Sequence, residues 1–105
     1  MDGDANLLAE MAAVLLGDFP NQLSAIRTAL ADRDSKALER AAHKLKGSVG
    51  IFGAKQAYEA SLDLETMARR CDFAGADEAF GALEEALNRL RPVLETLVAV
   101  PHTCV

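Results

Sequence analysis

Tryptophan is absent from this chain of 105 residues, tyrosine occurs once and phenylalanine four times. So little aromatic surface leaves scant material to line a large ligand cavity. Val, Ile and Thr together fill only 12 positions, too few for an all-β sandwich or barrel. The two cysteines, Cys71 and Cys104, are too few and too far apart for a zinc knuckle. Free thiols in a reducing compartment are expected, a bridge between them being the alternative. Gly-x-Gly-x-x-Gly, Walker A, Cys-x-x-Cys and His-Glu-x-x-His are all missing, which removes the common nucleotide-binding and metalloprotease signatures. No apolar run reaches the roughly 18 residues of a membrane-spanning helix, and the first ten residues are acidic where a secretory signal is basic. A cytoplasmic protein without membrane insertion is the expectation. Positive charge is also in deficit: the net charge is −5 and the pI about 4.9, a poor match to nucleic acid or to anionic lipid.

What the chain does have is alanine, 20 times, and leucine, 15 times, which together fill a third of its positions. Both favour helices, and the length suits a single domain, 1–105, with a core over about 18–98 and a tail at 99–105. The spacing of Leu7, Leu8, Met11, Val14 and Leu15 predicts a short helix over about 5–16, ended by Gly17. A second helix is expected from Asp18, a good N-cap, with Pro20 tolerated in its first turn and Phe19, Leu23, Ile26 and Leu30 inward. Asp34 or Ser35 should cap a third, about 35–51, that buries Leu38, Ala41, Ala42, Leu45 and Val49, with Gly53 at its end. A fourth, about 54–70, carries Ala54, Ala57, Tyr58, Ser61, Leu64 and Ala68 on one stripe. A last helix, about 76–98, has a heptad seam of Phe80, Leu83, Leu87, Leu90, Leu94 and Leu97, with Pro92 expected to bend or divide it. The fold class is therefore all-α: an antiparallel up-and-down four-helix bundle with an additional short N-terminal helix.

One segment works against its own helix. Residues 43–54 read His-Lys-Leu-Lys-Gly-Ser-Val-Gly-Ile-Phe-Gly-Ala. With Leu38, Ala42, Leu45 and Val49 inward, His43 lies on the opposite side, followed by Lys46 at i+3, Gly47 at i+4 and Gly50 at i+7. Each interior glycine costs roughly 1 kcal/mol against alanine, in a protein whose whole stability is about 5–15 kcal/mol. Either the glycines admit a neighbouring helix, or Gly50 begins the helix end, or bare backbone lets another protein approach the imidazole. The lysine and histidine beside them favour the last reading.

The string His43-x-Leu45-Lys46-Gly47-Ser48, followed by Gly53-Ala54 and by Leu64-Glu65 in the next helix, resembles the signature of histidine-containing phosphotransfer (HPt) domains. Phe19, Leu30, Ala31 and Asp34 extend the similarity, which covers about 80 residues, roughly 18–98. The resemblance implies that His43 takes a phosphoryl group from an aspartyl phosphate on a response-regulator receiver domain and returns it to another. Imidazole suits that task, since an ordinary histidine, with a pKa of ~6.5, is a neutral nucleophile at physiological pH. It also implies in-line attack by Nε2 of His43, with Glu65 accepting from Nδ1 to orient the ring. Glu65 sits 22 residues on, beside its helix's apolar stripe, where a carboxylate needs a partner; pairing with Arg69 at i+4 is the alternative.

On the same resemblance, Lys46 supplies positive charge to the phosphoryl oxygens, and Gly47 clears space for the receiver's loop. Lys44 is a partner contact or a solvated charge, Gly50 a further partner-facing position, and Asp63 plain surface. Ser48 either bonds a backbone carbonyl or lies at the bundle's edge. No cofactor or metal is expected on this chain; Mg²⁺ would sit on the receiver. The expected partners are receiver domains, with a hybrid sensor histidine kinase as a further candidate, for a chain that is itself monomeric. Three functions compete: a phosphoryl carrier with no ATP site or kinase activity of its own, a non-catalytic module that docks a receiver, and a metal protein using His43, Glu39 and Glu65. His102 is read as a loosely held residue of the tail, metal binding being the remote alternative.

Overall fold

The computed structural model describes the backbone of residues 2–99 and the side chains of residues 7–98. Most of the expected tail, with His102 and Cys104, lies outside the described residues. Four helices follow one another: α1 (Asp2–Asp32), α2 (Ser35–Gly50), α3 (Lys55–Arg69) and α4 (Ala76–Ala99). Among the described residues there is no strand. Each helix packs on its neighbours in sequence and α1 closes the ring against α4, which is the arrangement of an up-and-down bundle. The result is a rod of 53 × 20 × 20 Å.

The separate N-terminal helix does not form. Residues expected in two helices make one α1 of 31 residues that runs through Gly17 and Pro20. The reason is register. Ala9, Ala12, Leu15, Phe19, Gln22, Ile26 and Ala29 are all buried, and their three- and four-residue steps continue across the junction without a phase change. Pro20 forfeits one backbone donor and Gly17 one side chain, but burial of the unbroken face holds the helix together. Of the apolar residues whose spacing predicts the first helix, Leu15 is buried, whereas Leu7, Leu8 and Val14 are exposed; Ala9 and Ala12 complete the buried face. α4 is likewise undivided at Pro92.

The turns follow from local chemistry. Asp34 caps α2 by accepting from the Ala37 amide at 3.1 Å. At the ends of α1, α2 and α3, the left-handed positions are held by Arg33, Gly53 and Cys71, with φ of 53°, 65° and 51°. At each, the next residue's amide reaches back five residues, from Asp34 to Ala29, Ala54 to Val49 and Asp72 to Met67. Phe19, Ile26, Leu38, Leu45, Leu64, Leu83, Leu87 and Leu94 then fill one core to which all four helices contribute. This core fixes α2 and α3 side by side, and the site is built across that pair.

Candidate functional site

Leu38, Ala42, Leu45 and Val49 point into the core, so the helical repeat turns His43 outward. Its side chain is 64% exposed. Glu65 on α3 is the reverse, a carboxylate only 1% exposed, on the same turn as buried Leu64 and Ala68. The two meet: Nδ1 of His43 lies 2.8 Å from Oε2 of Glu65.

A buried carboxylate on its own would be driven toward its neutral form. Glu65 is instead surrounded by cations. Lys46 Nζ stands 2.8 Å from Oε1, and Arg69 donates from Nη2 to Oε2 at 2.9 Å. Burial pushes the Glu65 carboxyl up. The contacts from Lys46 and His43 and the charges of Lys46 and Arg69 outweigh that push and hold it below its ordinary value. Glu65 is therefore ionised at neutral pH. An ionised carboxylate only accepts, so Nδ1 of His43 carries the proton and donates it. In the neutral ring that leaves the lone pair on Nε2. Arg69 is itself fixed from the far side, donating from Nε to Glu39 at 3.0 Å.

The sequence-derived residues fall into place unevenly. His43, Lys46 and Glu65 come together. Lys46 is only 17% exposed: its ammonium is turned back onto Glu65 and lies 5.9 Å from the centre of the Tyr58 ring, rather than projecting into solvent. Gly47 is exposed, and a Cβ built there meets nothing within 4 Å, so no neighbouring helix requires the glycine. Gly50 is different. It is the last residue of α2, and the Tyr58 ring comes within 3.4 Å of where its Cβ would be. Tyr58 was expected inside the α3 stripe; it is 39% exposed and covers Gly50 and the Lys46 stem's end instead. Lys44 is exposed, as is Asp63. Ser48 bonds a backbone carbonyl, donating to Lys44 O at 3.1 Å.

The alternatives for Glu65 prove compatible, since it binds His43 and Arg69 together. Helical spacing alone does not connect Glu39 to Arg69, 30 residues apart and across two helices. Their opposite charges, each on the α2–α3 side of its helix, were the available signal. Among the described residues, no group of three or more His, Cys, Asp or Glu side chains is arranged to hold a metal ion. No helix among them is long and apolar enough to cross a membrane.

Comparisons with known proteins place the chain in one family. Residues 10–92 match the Hpt domain family. The chain is 34% identical over 88 residues to the Sensor protein GacS of Pseudomonas syringae pv. syringae. It is 35% identical over 88 residues to the Sensor histidine kinase GacS of Pseudomonas protegens. Each similarity covers 84% of this chain but 10% of the relative, so the chain spans about a tenth of the length of the curated relatives it matches. No solved structure matches. With the family match over most of its length, the chain belongs to the Hpt domain family.

Proposed function

We propose that the chain is a phosphorelay carrier in which His43 accepts a phosphoryl group from the aspartyl phosphate of a receiver domain and donates it to another receiver. The observation that carries this reading is the exposed ring whose Nδ1 is held by a buried, ionised carboxylate. Nucleophile and orienter are then set before a partner arrives.

In the forward step the Nε2 lone pair forms the N–P bond in line with the departing oxygen. The P–O bond to the receiver's aspartate breaks, and that oxygen leaves with its electron pair as a carboxylate. The ring gains positive charge as its lone pair is used, and Glu65, already anionic and 2.8 Å from Nδ1, offsets it without reorganising. Donation to the second receiver is the same step reversed. Lys46, one turn beyond His43, adds positive charge beside the incoming phosphoryl group, and Gly47 offers a surface on which a loop can settle. Mg²⁺ belongs to the receiver in this scheme. No ATP site or autokinase activity is assigned to the chain. The names of the relatives, a sensor protein and a sensor histidine kinase, support a parent or partner of the sensor-kinase class.

The test is to incubate the protein with receivers phosphorylated on aspartate and to follow acid-labile label. Label on the wild type and none on His43→Gln is the expected result. Equal label on both removes His43 as acceptor. Binding without label on either leaves a docking module in place of a carrier.

A further inference from the structure

The charge on the His43 face is distributed unlike that of the rest of the molecule. α2 carries four basic side chains, Lys36, Arg40, Lys44 and Lys46, and one acidic one, Glu39, in a chain whose net charge is −5. Two of these are committed to the site: Lys46 to Glu65, and Glu39 to Arg69. Lys36, Arg40 and Lys44 are each exposed, and among the described residues none of them is in an ion pair. Their four-residue spacing aligns them along one side of the helix, running past His43 toward Gly47.

Helix stability does not account for this ridge. The N-terminal end of a helix favours anions, yet the first turn of α2 has no acidic residue, and Lys36 stands in it. Like charges four residues apart also repel along the row. Three solvated cations left uncompensated on an acidic protein, on the face that bears the reactive imidazole, point to an anionic visitor.

We propose that the Lys36–Arg40–Lys44 ridge is the electrostatic docking surface for a receiver domain, engaging carboxylates that surround its aspartyl phosphate. This rests on the carrier reading and adds the partner's charge to it. An aspartyl phosphate together with carboxylates able to hold Mg²⁺ makes a strongly acidic patch. The ridge attracts that patch, and its line ends at His43 and the open strip of Gly47. The acidic exterior elsewhere repels the same patch, so wrong orientations are disfavoured as the right one is drawn in. The ridge thereby acts on encounter and orientation, while the His43–Glu65–Lys46 group acts on the chemistry. An acidic protein face is favoured over nucleic acid because three cations on one helix are opposed by the net negative charge of the whole chain.

The experiment measures transfer from a panel of aspartate-phosphorylated receiver domains to the full chain, at low and at high salt. Lys36→Glu, Arg40→Glu and Lys44→Glu are made singly and together, and Glu59→Lys and Asp63→Lys on α3 serve as controls. The triple reversal should lower the second-order rate constant at low salt by about tenfold or more, the scale of electrostatic steering, and invert its salt dependence, so that added salt speeds the encounter by screening repulsion. The rate at saturating receiver should stay near that of the wild type, and the α3 reversals should not slow the encounter. His43→Gln should bind unphosphorylated receiver with the same salt sensitivity as the wild type. If His43 is labelled but the triple reversal and added salt leave the encounter rate unchanged, the ridge is not the docking surface and the carrier reading stands. If nothing labels His43, both fall. If the chain prefers duplex DNA or anionic vesicles to every receiver, the acidic-protein assignment is wrong.

Discussion

At Gly47 an added Cβ would meet nothing within 4 Å, on an exposed turn of a continuous helix. Gly47→Ala should therefore raise stability by about 1 kcal/mol in chemical denaturation. Gly47→Gln should fold as well as the wild type yet transfer phosphoryl groups more slowly, because its side chain stands where a receiver would settle. Destabilisation by alanine would mean that the glycine serves the fold. Glu65 makes the opposite case, a residue the fold and the chemistry both need. Its carboxyl is lower in pKa folded than unfolded. A group of that kind adds stability above its unfolded pKa, about 4.3 for glutamate, and the contribution is lost as pH falls through the lower folded value. Wild-type stability should thus drop more steeply than that of Glu65→Gln from about pH 5 downward, read as urea midpoints at each pH. Parallel profiles would deny Glu65 its ionised role. The pairing of Glu65 with His43 comes from the family resemblance; apolar spacing alone shows that Glu65 borders the core and needs a partner, and leaves Arg69 as an alternative that the structure joins to it as well. The turn of Lys46 onto Glu65 and the seat of Tyr58 over Gly50 are not legible, because a helical repeat gives a side chain's direction and says nothing of where a flexible stem ends.

Most helix boundaries could be read from short-range chemistry: Asp34 caps α2, Gly53 supplies the left-handed turn after it, and the last three helices begin and end within about one residue of expectation. The junction at Gly17 to Pro20 is not legible as continuous helix because both residues are ordinary breakers, while the signal for continuity is spread over the buried face from Ala9 to Ala29. Local punctuation loses to a long apolar register when burial is at stake. Cys71 is a second conflict between sequence and element. It takes the left-handed position after α3 at φ 51°, which is strained for any residue with a Cβ, and its side chain is exposed. Arg33 has the same backbone but lays its guanidinium 5.5 Å from the Phe73 ring, a compensating contact. Cys71→Gly should therefore raise the unfolding midpoint, by about 0.5–1 kcal/mol in stability, with no change in labelling of His43. A fall in stability would show that the thiol is held by something at the turn.

Over the whole molecule, the site belongs to α2 and α3 alone, yet the core that holds those helices is shared with α1 and α4. Leu87 on α4 is fully buried and contributes nothing to the His43–Glu65 cluster. Leu87→Ala should cost about 2–5 kcal/mol, a large part of the about 5–15 kcal/mol typical of a domain. If the bundle is one cooperative unit, the loss appears everywhere at once: helix content by circular dichroism and the imidazole resonances of His43 should vanish at the same, lowered urea concentration. Well below that midpoint the variant should still accept label at the wild-type rate, since the folded fraction keeps Glu65 in place. Loss of the His43 resonances ahead of the helix signal would show that the α2–α3 pair opens on its own. The reverse order would show that α2 and α3 survive as a hairpin without α4, and the rod would then be two weakly joined halves instead of a single support for the imidazole.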